Sequence, residues 1–171
     1  MNIKENSKSL KLSYVFHNFK AEIKEAIQTK KDHQTFLDEL LEKEIQQRKE
    51  NGVRKRIKYA KFPINKYLED FDKNIYKKEF QSEFEELDTL EFIDKKENII
   101  LIGTPGAGKT HYAIGLGTKA CIEGKTVLFV SVPNLIIELQ EAMSKSALNS
   151  YKRRFERYDL VILDELRICF F

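Results

Sequence analysis

Apolar residues first fall into a regular pattern at Leu12, Val15, Phe16, Phe19, Ile23, Ala26 and Ile27, separated largely by steps of three and four. That is the period of one helical face, so a helix is expected here after a short polar lead. A break at Lys30-Lys31-Asp32 follows, and Phe36, Leu37, Leu40, Leu41 and Ile45 then repeat the pattern on a second helix able to pack against the first. The second helix can continue from Arg48 to Ala60, although Gly52 costs it about 1 kcal/mol relative to Ala, and Phe62-Pro63 ends it. The expected organisation is a helical unit over 1–61, a linker over 62–77 and a third segment over 78–171.

Within 78–93, Phe80, Phe84, Leu87 and Leu90 mark another amphipathic helix. The pattern then changes. Ile99, Ile100, Leu101 and Ile102 form a continuous apolar run, short enough to read as a buried strand. A glycine-rich turn occupies 103–110, a helix runs from Thr110 to Ile122, and Gly124 closes it. A β-rich run over 126–132, a helix opened by Pro133 with Leu135, Ile136, Leu139 and Met143 on one face, and a third apolar run over 159–163 complete the chain. Strands alternating with helices imply an α/β fold with a parallel sheet.

Composition narrows the class without setting the function. Of 171 residues, 42% are hydrophobic and 33% charged, a balance able to bury one core and a small appendage. No run approaches the roughly 18 apolar residues of a membrane span, and the first residues lack the apolar core of a secretory signal, so a cytoplasmic, non-membrane protein is expected. Cys121 and Cys169 stand far apart, with no spacing that suggests a disulfide framework or a metal site. Charge is uneven: residues 1–61 hold 15 Lys/Arg against 9 Asp/Glu, and residues 62–171 hold 15 against 18. Arg48, Lys49, Arg54, Lys55, Arg56, Lys58 and Lys61 place seven positive charges in fourteen residues, opposed by Glu50 alone. Contact with the phosphate backbone of DNA, chiefly through Arg54, Lys55, Arg56 and Lys58, is one reading of this stretch, and a solvated basic helix is the other.

The chemistry concentrates in two places. Gly103, Thr104, Pro105, Gly106, Ala107, Gly108, Lys109 and Thr110 satisfy every fixed position of the phosphate-binding loop, between an expected strand and an expected helix. Glycines let such a loop turn its N–H groups toward phosphate oxygens, and the following helix start adds partial positive charge. Lys109 is then expected at the β- and γ-phosphates of ATP and Thr110 on a Mg²⁺ ion. The second place is Asp164-Glu165, directly after the run Leu160-Val-Ile-Leu163, at the carboxyl end of an expected parallel strand where such sheets bind ligands. Asp164 is the candidate Mg²⁺ partner and Glu165 the candidate base for the attacking water. His111 is read as a packed or surface residue outside the site.

Taken together these residues resemble the IstB/DnaC group of AAA+ ATPases, and most closely the IstB transposition helpers. The resemblance covers nearly the whole chain. It rests on Leu10-Lys-Leu12, Phe36-Leu-Asp-Glu-Leu-Leu41, Arg56-Ile-Lys-Tyr-Ala-Lys-Phe-Pro63, Leu68-Glu-Asp-Phe-Asp72, Lys109-Thr-His111 and Tyr158-Asp-Leu-Val-Ile-Leu-Asp-Glu-Leu166. Helicase loaders of the same group more often carry Asp-Asp in place of Asp164-Glu165, which favours the transposition branch. The resemblance implies an ATPase that assembles on DNA as a homo-oligomer and works with the transposase of its own mobile element. It also implies that the linker around Phe71 lies near the nucleotide.

Where the family continues with Gly-Tyr after Leu166, this sequence reads Arg-Ile-Cys-Phe-Phe171. The resemblance therefore implies a carboxyl-terminal truncation by a frameshift, an interrupted gene or a gene-model error, leaving the first three strands of a partial AAA+ sheet. The fourth strand, which the family places between the first and the third, would lie beyond residue 171, as would a sensor residue and an arginine finger. Negligible ATP turnover by the chain alone is expected on that basis. A helicase loader of DNA replication, and a remnant that binds DNA or full-length subunits without hydrolysis, are the alternative readings.

Overall fold

The polar lead is itself helical in the computed structural model, which describes residues 2–166. The tail at 167–171, with Cys169 and the residues on which the expected truncation and frameshift rest, lies outside the described residues. The chain divides into two compact units, Met1–Arg54 and Lys55–Phe171. Among the described residues no helix is long and apolar enough to cross a membrane.

In the first unit, α1 (Ile3–Ser9) forms because Asn2 accepts the Glu5 N–H and the Glu5 carboxylate accepts the Asn2 N–H, a reciprocal cap that periodicity does not reveal. The expected first helix is α2 (Ser13–Gln28), and the second is α3 (His33–Ala60), which continues through Gly52 without a break. Asp32 caps α3, accepting from the N–H groups of Gln34 and Thr35 and from the Thr35 hydroxyl, and these bonds lower its pKa. The α2–α3 contact is more polar than the sequence pattern suggests. Among the described residues of the unit Val15 is the one buried apolar side chain, whereas Ser7, Glu22 and Glu44 are buried too, and Leu37, Leu41 and Ile45 stay about half exposed. Glu22 accepts from the Tyr14 hydroxyl and the Lys43 ammonium, both at 2.6 Å, and Glu44 reaches the start of α2.

The second unit is organised around α6 (Lys109–Ile122), where Tyr112, Ile114, Leu116, Ala120 and Cys121 are all nearly or fully buried. Its glycines allow close packing: a Cβ on Gly117 would sit 2.8 Å from Ile162 and 2.9 Å from Phe62, and one on Gly115 would sit 2.9 Å from Leu68. Gly124, at φ +98°, ends the helix in the left-handed region, with Lys125 N–H bonded to the Ala120 carbonyl. Strands β1 (Val127–Ser131) and β2 (Leu160–Asp164) pair in parallel from Val127↔Leu160 to Ser131↔Asp164. Parallel pairing needs a long crossover, supplied by α7 (Val132–Ser144) and by α8 (Leu148–Phe155), the latter not foreseen from the sequence. Asp159 closes the entry to β2 by accepting from the N–H and hydroxyl of Thr126, bonds that lower its pKa.

Two expectations require correction. The helix over 78–93 is split into α4 (Gln81–Asp88) and α5 (Glu91–Lys95), because Leu90 adopts φ 62° and turns its side chain into the core, where it is 2% exposed. The run at 99–102 is neither a strand nor buried: Ile100 is 74% exposed and Ile102 86% exposed. A strand is defined by its ladder, and among the described residues β2 pairs with β1 alone, so this run finds no backbone partner. The sheet described is two-stranded and parallel, within an α/β unit.

Candidate functional site

The loop over 103–110 obtains its shape from two glycines in the left-handed region, Gly106 at φ 81° and Gly108 at φ 73°. Gly108 is also the residue before α6, and a Cβ there would lie 2.8 Å from the ring of Phe71. Within the loop, Ala107 N–H bonds to the Thr104 carbonyl at 3.2 Å. The N–H groups of Gly106, Gly108, Lys109 and Thr110 meet no acceptor among the described residues. Free donors at a helix start are groups that a phosphate can use as hydrogen-bond partners. Lys109 turns its ammonium back onto the carbonyls of Gly103 and Thr104, at 2.7 and 2.8 Å.

Thr110 joins the two places that the sequence singles out. Its hydroxyl donates to the carboxylate of Asp164, with oxygens at 3.0 and 3.2 Å, so the start of α6 meets the end of β2. A hydroxyl and a carboxylate in contact are hard oxygen ligands of the kind Mg²⁺ takes together with phosphate oxygens. Among the described residues no three His, Cys, Asp or Glu side chains cluster as a protein-only metal site. Glu165 is exposed, at φ 59°, a conformation uncommon for a residue with a side chain. A cleft of about 400 Å³ is lined by Asp164, Glu165, Ser131, Asn134, Lys61 and Arg154 among others, and no residue of 103–110 borders it.

Behind the loop stands an aromatic cluster that motif reading does not find. Phe71 stacks on Tyr76 with ring centres 5.6 Å apart and also meets Phe84, His111 and Tyr112. The Tyr76 hydroxyl donates to the Ala107 carbonyl at 2.5 Å. Burial, and then the bond to Asp88 at 2.8 Å, push the Tyr112 hydroxyl well above its usual pKa. His111 packs on Phe71, as expected of a residue outside the site, yet its Nε2 is buried with no partner among the described residues. The spacing of aromatic residues at 71, 76, 80 and 84 was the available signal, though nothing local says which of them faces the loop.

The basic candidates separate by environment. Arg54, Lys55 and Lys58 are exposed on α3. Arg56 is half-buried and donates Nε to the Cys121 carbonyl at 2.7 Å, closing the last turn of α6. Burial pushes the Cys121 thiol up to about 11, and Arg56 pulls it partly back.

The chain is 33% identical over 157 residues to a protein named for ATP binding in insertion sequence IS21 of Pseudomonas aeruginosa, covering 92% of this chain and 59% of that protein. Against its counterpart in IS5376 of Geobacillus stearothermophilus it is 36% identical over 131 residues, covering 77% and 52%. Against that of IS232 in Bacillus thuringiensis subsp. berliner it is 28% identical over 123 residues, covering 72% and 49%. The chain thus spans about half the length of the curated relatives it matches. Residues 5–170 match the family described as IstB-like ATP binding protein, and with nearly the whole chain inside that match, the protein belongs to the IstB-like ATP-binding family of insertion sequences.

Proposed function

We propose that the chain binds ATP with Mg²⁺ through residues 103–110 and Asp164, and that it serves transposition as a helper ATPase acting on DNA with the transposase of its own element. The observation that carries the nucleotide part is the set of unpartnered N–H groups of Gly106, Gly108, Lys109 and Thr110, linked to Asp164 through the Thr110 hydroxyl. In this reading Lys109 leaves the loop carbonyls for the β- and γ-phosphates, while Thr110 and Asp164 hold the cation, which offsets phosphate charge when bound. Glu165 orients the attacking water and accepts its proton. The partner assignments draw on the insertion-sequence names of the relatives and on the exposed Arg54, Lys55 and Lys58. Homo-oligomeric assembly on DNA belongs to the same proposal.

The test is a titration with a fluorescent ADP analogue in the presence of Mg²⁺, alongside a phosphate-release assay. Lys109→Ala is expected to weaken binding at least about tenfold, corresponding to a lost charge-assisted contact of about 1.5–3 kcal/mol. Equal affinity of the variant and the parent refutes the assignment. For DNA, charge reversal at Arg54, Lys55 and Lys58 is expected to reduce the slope of log K against log salt by roughly 2.7, about 0.9 per contact. An unchanged slope removes this stretch from the DNA-binding surface.

A further inference from the structure

A phosphate-binding loop works only if its N–H groups all face one way, and the internal bonds of this loop do little to ensure that. Among the described residues the Ala107–Thr104 bond is the one backbone bond between two residues of the loop, the Gly108 carbonyl being taken by the Tyr112 N–H of α6, and the two carbonyls held by Lys109 are released once that side chain turns to a ligand. The peptide between Ala107 and Gly108 is held from outside. Its carbonyl accepts from the Tyr76 hydroxyl, and Tyr76 is fixed in turn by its stack on Phe71 and its edge contact with Phe84, 5.1 Å between centres. In a trans peptide the C=O and the N–H point in opposite directions. A carbonyl tied to Tyr76 behind the loop therefore aims the Gly108 N–H away from Tyr76, to the side where phosphate oxygens would sit. Phe71, 9% exposed, completes the support by filling the space next to the Gly108 α-carbon.

We propose that Tyr76 is a positioning residue for phosphate binding, its hydroxyl holding the Ala107 carbonyl so that the Gly108 N–H is aimed at the nucleotide phosphates. The proposal rests on the phosphate-site reading above and adds that the linker sets the loop's preorganisation. It makes the buried aromatic linker a support for the phosphates and gives it no contact with the base. The chemistry recognised is accordingly a polyphosphate, whatever it is attached to.

The experiment displaces a fluorescent ADP analogue from the full chain with unlabelled ADP and, separately, with inorganic tripolyphosphate, in the parent, Tyr76→Phe, Phe84→Leu and Lys109→Ala. Tyr76→Phe keeps the ring and its stack and removes only the donor. It is expected to weaken both ligands by the same factor, roughly three- to tenfold for one hydrogen bond, with a melting temperature within about 3 °C of the parent. Phe84→Leu removes the edge contact on the Tyr76 ring and is expected to lower the melting temperature and to weaken both ligands alike, by no more than Tyr76→Phe does. Faster amide exchange at Gly108 in Tyr76→Phe, measured without ligand, is the accompanying signature. The proposal is overturned if Tyr76→Phe leaves tripolyphosphate binding unchanged, or if Tyr76→Phe or Phe84→Leu lowers ADP binding alone, which would mark a base contact. A parent that binds ADP no better than Lys109→Ala sinks the phosphate-site reading and this inference with it, whereas the other outcomes strike the inference alone.

Discussion

Glu44 offers the sharpest test of how the first unit is held. The residue at the head of α2, Leu12, has no side chain able to cap it, so the free N–H groups of the first turn need an acceptor from elsewhere. The Glu44 carboxylate, 3% exposed and about thirty positions away, accepts from the N–H groups of Ser13 at 3.0 Å, Tyr14 at 2.8 Å and Val15 at 3.2 Å. Arg48 bonds to it at 3.2 Å and also to the Lys11 carbonyl at 2.9 Å. Glu44→Ala removes a cap worth about 1–2 kcal/mol. It also leaves the Val15 N–H buried without an acceptor, at about 1–3 kcal/mol, while those of Ser13 and Tyr14 can turn to water. A combined loss of about 2–5 kcal/mol is expected, set against roughly 3–8 kcal/mol available to a unit of this size. Glu44→Gln keeps one carbonyl acceptor and the volume but loses the charge facing the helix dipole, so about half the effect is expected. Urea unfolding followed by circular dichroism, with amide exchange resolved over α2, reads both variants. Glu44→Ala within about 0.5 kcal/mol of the parent, or Glu44→Gln as damaging as Ala, would refute the reasoning.

The acid limb of stability should depend on Glu22, whose pKa the bonds from Lys43 and Tyr14 lower from 4.5. Its contribution is full above that ordinary value and is lost as pH falls through the lower folded value, so Glu22→Gln should flatten the pH dependence of the melting temperature in that window and leave its shape near neutrality unchanged. Gly117→Ala gains about 1 kcal/mol of helix propensity but forces the new methyl against Ile162 and Phe62, at about 1–3 kcal/mol; a net loss of about 1 kcal/mol is expected in denaturant titration, and a stabilised variant would show that α6 can move off β2. Replacing Ile100 and Ile102 by Lys should leave the melting temperature within about 2 °C, since both are exposed, and should reduce light scattering on concentration; unchanged scattering would show that this run does not drive association.

Much of the local structure was legible. The 3.6-residue period marks α2 and the front of α3, and Gly124 and Pro133 mark a helix end and a helix start, because each depends on a few neighbouring residues. Leu90 misled the reading of 78–93, since an apolar residue in register with one helical face says nothing about its own φ angle. Arg56 belongs to a basic run in the sequence, but a carbonyl sixty-five positions away occupies its guanidinium. The buried Glu44 has the composition of a surface residue and the position of a cap, a role only a folded helix pair can assign.

The same division runs through the candidate site. Gly106 and Gly108 are demanded by backbone angles that a side chain resists, so the order of residues at 103–110 was enough to specify a loop able to present its N–H groups. Tertiary structure alone decided what surrounds it: Thr110 on Asp164 fifty-four positions away, Tyr76 behind Ala107, and an apolar run at 99–102 left without a ladder. The physical reason is that conformational preference acts between neighbours along the chain, whereas a strand, a carboxylate ligand or a supporting hydroxyl exists only through a partner that folding brings near.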